Sequence, residues 1–105
     1  MKMFNVTPTQ KTESVIQKEI IDLLQEQPKV YLVKVHSATK AGVPDLLTCI
    51  HGRFVALEVK TLKGKASELQ LTNIRRIREA GGLAFVVRSR DEVKHIINQL
   101  MNGEL

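Results

Sequence analysis

Asp45, Glu58 and Lys60 are the residues whose types and spacing can do chemistry. Pro44-Asp45 opens a strand-like run over 45–50, His51-Gly52 follows, and a second run over 53–60 carries Glu58-Val59-Lys60. An X-Gly pair between two such runs signals a two-residue hairpin turn. That register sets Ile50 against Arg53 and Asp45 against Glu58. Directly opposed residues share a face of the sheet, with Cβ atoms about 4.5–5.5 Å apart. Alternation then puts Phe54, Ala56, Glu58 and Lys60 on one side, leaving Val55, Leu57 and Val59 to pack against helices.

Two carboxylates about 5 Å apart repel by roughly 3 kcal/mol at an effective dielectric near 20. Lys60 offsets part of this, and a divalent cation would offset more. Hard oxygen ligands at this spacing suit Mg²⁺ or Mn²⁺. The backbone carbonyl of Val59 lies between the two functional side chains and offers a further oxygen. A lysine here can orient a water on such an ion. The plain alternative is a solvated strand face. Pro-Asp followed closely by acid-x-Lys arises by chance in roughly one chain of this length in fifty, which favours a site.

The elements that must position these residues are short. Thr7, Pro8 and Gln10 read as N-cap, first helical position and capping-box partner. The apolar residues Val15, Ile16, Ile20, Leu23 and Leu24 continue that helix to about Gln27, where Pro28 stops it. Glu13 and Gln17 extend the stripe of Ile20 and Leu24, so Glu13 points inward near the hairpin mouth; stabilisation of the helix dipole is its plain alternative. Glu19 reads as a solvated acid. Residues 30–36 form a strand, and 37–44 a loop. Ser67 and Gln70 make a capping box for a helix to about Ala80, ended by Gly81-Gly82. Residues 83–88 are a short strand, Asp91 caps a last helix to about Leu100, and 101–105 are a frayed end. The expected fold is therefore α/β, in the order α-β-β-β-α-β plus a C-terminal helix.

The 105 residues suit one domain, a single stand-alone unit over 1–105. Apolar residues make up 43% and charged residues 26%, which excludes disorder and collagen-like repeats. A single cysteine, Cys49, excludes an internal disulfide and reads as a small buried strand residue. No apolar run approaches the roughly 20 residues of a membrane span, and no secretory h-region opens the chain. An intracellular protein without membrane contact is expected. The net charge of +5 points to a polyanionic partner. The lysines Lys63 and Lys65 follow Lys60 directly, and phosphate contact is their best role. Gly64-Lys65-Ala66 lacks the residues of a phosphate-binding P-loop. Lys40, Arg75, Arg76, Arg88 and Arg90 are candidate backbone contacts that sequence does not rank. His36, His51 and His95 lack ligand spacing, and the four aromatics are too scattered for a base-stacking platform.

Pro44-Asp45 and Glu58-Val59-Lys60 across a short hairpin resemble the PD-(D/E)xK nuclease superfamily. Glu13 with Gln17 on the first helix, Gly42-Val43-Pro44-Asp45 and Gln70 sharpen the resemblance to its virus-type replication-repair nuclease (VRR-NUC) family, over roughly residues 10 to 100. The resemblance implies a restriction-endonuclease-like core, a mixed, mostly four-stranded sheet flanked by helices. It further implies Mg²⁺ or Mn²⁺ held by Asp45, Glu58, the Val59 carbonyl and Glu13, with Lys60 and Gln70 completing the catalytic set. The activity implied is metal-dependent hydrolysis of DNA phosphodiesters, structure-selective in the manner of a Holliday-junction resolvase in DNA repair. Branched DNA and a second copy of the chain are the implied partners. Gln70 retains its capping explanation, and Gly42 reads as a turn residue that also lets phosphate approach the backbone. The competing class is a non-catalytic, basic nucleic-acid-binding domain. A pure binder gains nothing from a repulsive carboxylate pair facing DNA phosphates.

Overall fold

A computed structural model describes residues 10–105 of the chain. The elements run α1 (Glu13–Gln25), β1 (Val30–Lys34), β2 (Leu46–Ile50), β3 (Arg53–Val59), α2 (Glu68–Glu79), β4 (Leu83–Val87) and α3 (Arg90–Met101). The strands form one sheet in the order β1-β2-β3-β4. β1, β2 and β3 are antiparallel neighbours, and β3 pairs with β4 in parallel. This is the mixed four-stranded α/β core expected.

The hairpin register is fixed by its turn. His51 (φ 49) and Gly52 (φ 83) both occupy the left-handed region, the requirement of a type I′ connection. Ile50 pairs with Arg53 and Leu46 with Leu57, as the two-residue turn predicts. The strands bury both faces. Val55, Leu57 and Val59 join Leu46, Ile50 and Val87 beneath Ile16, Ile20 and Leu24 of α1 and Val93, Ile96 and Ile97 of α3. On the other face Ala56 and Ala84 pack against Ile74 of α2. Burying these thirteen-odd branched side chains at about 1.5–3 kcal/mol each is what fixes the strand direction at the site.

Several boundaries differ from expectation. The expected N-cap Thr7 and Pro8 lie outside the described residues. Gln10 stands ahead of the helix, and Thr12 caps α1, its hydroxyl accepting the Val15 N–H at 3.3 Å. Ser89, not Asp91, caps α3: its backbone leaves β4 still extended, and its hydroxyl accepts the Glu92 N–H at 3.2 Å. Asp91 sits within the first turn. Cys49 is exposed rather than buried, because α2 covers the β3–β4 side of its face and leaves the β1–β2 side open. The end of the chain is tied rather than frayed. The Glu104 N–H donates to the Gln99 carbonyl (2.8 Å), Leu105 packs against the core, and the Arg53 guanidinium donates to the Leu105 carbonyl at 2.7 Å. Among the described residues no helix is long and apolar enough to cross a membrane.

Candidate active site

Glu58 is a charged residue at the centre of an apolar sheet. It lies one residue from the end of β3, on the α2 face, with 1% of its surface exposed. Its partners come from three elements. Lys60, just past the strand and 15% exposed, brings Nζ to 3.5 Å from Glu58 Oε2. Gln70, in the first turn of α2, donates from Nε2 to the same oxygen at 3.0 Å. Glu58 Oε1 is buried with no hydrogen-bond partner.

Asp45 stands immediately before β2, and its side chain takes over where the ladder ends. Its Oδ2 accepts the Val59 N–H at 2.8 Å. Extending the register would set Pro44 against Val59. A proline has no N–H to give the Val59 carbonyl. Along extended backbone a residue's N–H and C=O point to the same edge, so the Val59 carbonyl is directed toward Asp45. The Lys60 N–H points the other way, donating to the Val87 carbonyl at 3.0 Å.

Glu13 enters from the first turn of α1. One carboxylate oxygen from each of Glu13, Asp45 and Glu58 lies within 4.8 Å of the others. Burial pushes the Glu58 carboxyl up to about 7; the Asp45 charge adds to the rise, as does the hydrogen bond to Asp45 open to the protonated form only, and Lys60 opposes it. A buried carboxylate oxygen without a donor, beside two further acids, fits a hard divalent cation.

Gln70 serves both readings at once. Its Oε1 accepts the Ser67 N–H at 2.8 Å while Ser67 Oγ accepts the Gln70 N–H at 3.1 Å, a complete capping box. The remaining amide hydrogens are thereby aimed at Glu58. Gly42 answers a packing demand: at φ 80, an added Cβ would lie 2.8 Å from the Leu69 carbonyl and the Asn73 amide of α2. The space on its Cβ side is filled by α2, while Gly42 itself stays partly exposed. Lys40, Lys63 and Lys65 are exposed on the two loops that flank the site. His36 is exposed and joins no cluster with the carboxylates.

Two positioning residues escaped the sequence. Asn73 is buried and donates to the Ala41 (3.1 Å) and Leu69 (2.9 Å) carbonyls, fastening the loop before Asp45 to α2. The available signal was a polar residue on the buried stripe of a helix. Arg88, expected among the DNA contacts, turns inward instead. Its Nη1 donates to the Thr61 and Leu62 carbonyls at 2.6 and 3.3 Å and also to that of Gly64, clamping the loop that carries Lys63.

A model of the VRR-NUC domain matches residues 3–91. The chain belongs to the VRR-NUC domain family. A solved structure described as a VRR_NUC domain superposes on it with a TM-score of 0.72 at 28% identity, covering 84% of this chain and 97% of that one. A second, described as a VRR_NUC domain protein, has the same TM-score at 23% identity, covering 90% and 91%. No curated protein matches. VRR-NUC is a nuclease domain family, and in this VRR-NUC domain the motif residues Asp45, Glu58 and Lys60 converge at one end of the sheet.

Proposed function

We propose that this VRR-NUC domain, a single domain over residues 1–105, is a metal-dependent DNA endonuclease that acts as a homodimer on branched DNA. The observation that carries the reading is the buried, donorless Glu58 Oε1 beside Asp45 and Glu13. A protein gains nothing by burying that oxygen unless something binds it. Asp45, Glu58, Glu13 and the Val59 carbonyl would hold Mg²⁺ or Mn²⁺. Such an ion, when bound, supplies Lewis acidity to a water and to the scissile phosphate.

The chain's own residues do the remaining work. Lys60 presents an ammonium at the opening of the site, where it orients the attacking water or steadies charge growing on the phosphate. Gln70 holds one oxygen of Glu58, so that the other faces the site. Lys40, Lys63 and Lys65 hold the DNA backbone without reading sequence. Two-fold symmetry of a dimer would present one site to each scissile strand of a four-way junction.

The test is a cleavage panel of labelled four-way junction, flap, duplex and single-stranded DNA with Mg²⁺ or Mn²⁺. Junction cleavage is expected, lost in Asp45→Ala, Glu58→Ala and Lys60→Ala while DNA binding persists. Wild-type turnover in any of these variants overturns the site. Binding without cleavage of any substrate by the parent protein makes it a non-catalytic DNA-binding domain.

A further inference from the structure

The two edges of the sheet are treated differently. On β4 the outward-pointing groups at both ends are taken. Arg78 donates twice to the Ala84 carbonyl, at 3.0 and 2.6 Å, and the Arg88 N–H is received by Glu92. Such caps prevent another strand from adding there. β1 has none. The Val35 N–H donates to the Asp45 carbonyl and the His51 N–H to the Lys29 carbonyl. By alternation, Tyr31 and Val33 bond to β2, and the N–H and C=O of Val30, Leu32 and Lys34 point outward. Among the described residues, no backbone or side-chain group meets them.

Beside this open edge lies the uncovered part of the sheet face. Tyr31 is 71% exposed, Val33 44% and Phe54 45%, and Cys49 is exposed between them. The strip is uncharged on a chain of net charge +5, so it is a poor surface for DNA phosphates and a good one for apolar contact. We infer that β1 pairs antiparallel with β1 of a second copy, about a two-fold axis at Leu32, making one continuous eight-stranded sheet. This gives a surface to the dimer proposed above and rests on that reading.

The strand is self-complementary in this register. Leu32 faces Leu32 of the second copy, and Val30 faces Lys34, so every outward N–H meets an outward C=O and no lysine opposes a lysine. Tyr31 faces Val33, which joins the two exposed strips into one. The sites, which lie at the Lys34 end of β1, then sit at opposite ends of the paired strands, each open to solvent.

The experiment reads the register directly. Tyr31 and Val33 of the two copies form a non-hydrogen-bonded pair, with Cα atoms about 4.5 Å apart, inside the disulfide range. In a Cys49→Ser background, Tyr31→Cys and Val33→Cys chains are mixed and oxidised without DNA. A disulfide-linked dimer is expected from the mixture and not from either chain alone. Tyr31→Lys/Val33→Lys, at positions exposed in the single chain, is expected to melt like the parent yet sediment as a monomer. A parent protein that sediments as a monomer at every soluble concentration overturns both this inference and the dimer reading. A parent dimer with no mixed crosslink, or one that survives the double lysine change, overturns the β1 pairing and leaves the dimer reading standing.

Discussion

The Gln70 amide is divided between two masters: Oε1 accepts the Ser67 N–H at 2.8 Å, and Nε2 donates to Glu58 Oε2 at 3.0 Å. The residue that starts α2 therefore also orients the buried carboxylate. Gln70→Ala should remove both bonds, lowering stability by about 1 kcal/mol through the lost cap and cleavage by roughly tenfold or more through the lost charge-assisted bond. Gln70→Glu keeps the capping acceptor and sets a second charge against Glu58. Its melting temperature should stay nearer the parent's than that of Gln70→Ala, with cleavage no better. Parent-level cleavage in both variants would limit Gln70 to capping.

Pro44 keeps an N–H away from the Val59 carbonyl. Pro44→Ala would supply one and let the β2–β3 ladder run on by one pair, engaging the oxygen proposed as a ligand. Cleavage should fall and half-saturation by Mn²⁺ should rise, by about tenfold for a lost oxygen ligand's worth of roughly 1.4 kcal/mol. Metal titration of cleavage rate against the parent checks this. Unchanged half-saturation would remove Val59 from the ligand set.

Glu58 gives the metal-free protein a defined pH dependence. Its carboxyl is raised from 4.5 to about 7 by burial first and Asp45 second. Between those values the folded state binds the extra proton, so the stability it contributes is full below 4.5 and is lost as pH rises through about 7. The span corresponds to about 3 kcal/mol. Melting in EDTA should show this decline, and Glu58→Gln should flatten it. Because an ion needs the ionised carboxylate, Mn²⁺ should raise the melting temperature more above neutrality than at acid pH. An equal gain at both would separate the ion from Glu58.

Asp45 and Glu58 repel each other in the absence of metal. Asp45→Asn keeps an oxygen to accept the Val59 N–H while removing that repulsion. It should match or exceed the parent's stability in EDTA, gain little from Mn²⁺, and cleave DNA at least about 100-fold more slowly. A variant less stable than the parent by more than about 1 kcal/mol would show that Asp45 is held mainly for the fold.

Arg88 holds the loop bearing Lys63 through three backbone carbonyls. Arg88→Ala should release the Thr61, Leu62 and Gly64 carbonyls, so that KM for DNA rises several-fold while kcat changes less. A kcat loss at constant KM would place its effect at Lys60 instead.

The hairpin and its site were readable because a two-residue turn fixes register, and register fixes which side chains share a face. Ile50 against Arg53 thus led to Asp45 against Glu58 without knowledge of the helices. Glu13 was readable as an acid continuing the Ile20–Leu24 stripe. Cys49 was misjudged since strand alternation names the face but not what covers it. Thr12, which directly precedes Glu13 and caps α1, was missed because Thr7 followed by Pro8 carries a stronger local start signal. The roles of Asn73 and Arg88 were not legible, because each bonds backbone carbonyls remote in sequence, 32 residues away for Asn73 and 24–27 for Arg88.

Helix α2 holds both halves of the centre. Gln70 in its first turn grips Glu58, and Asn73 grips the Ala41 carbonyl, four residues ahead of Asp45. A slide of α2 by about 1 Å would drag a partner of each carboxylate in the same stroke, a misplacement large enough to slow chemistry by about 100-fold. The placement of both carboxylates is therefore tied to that of a single helix.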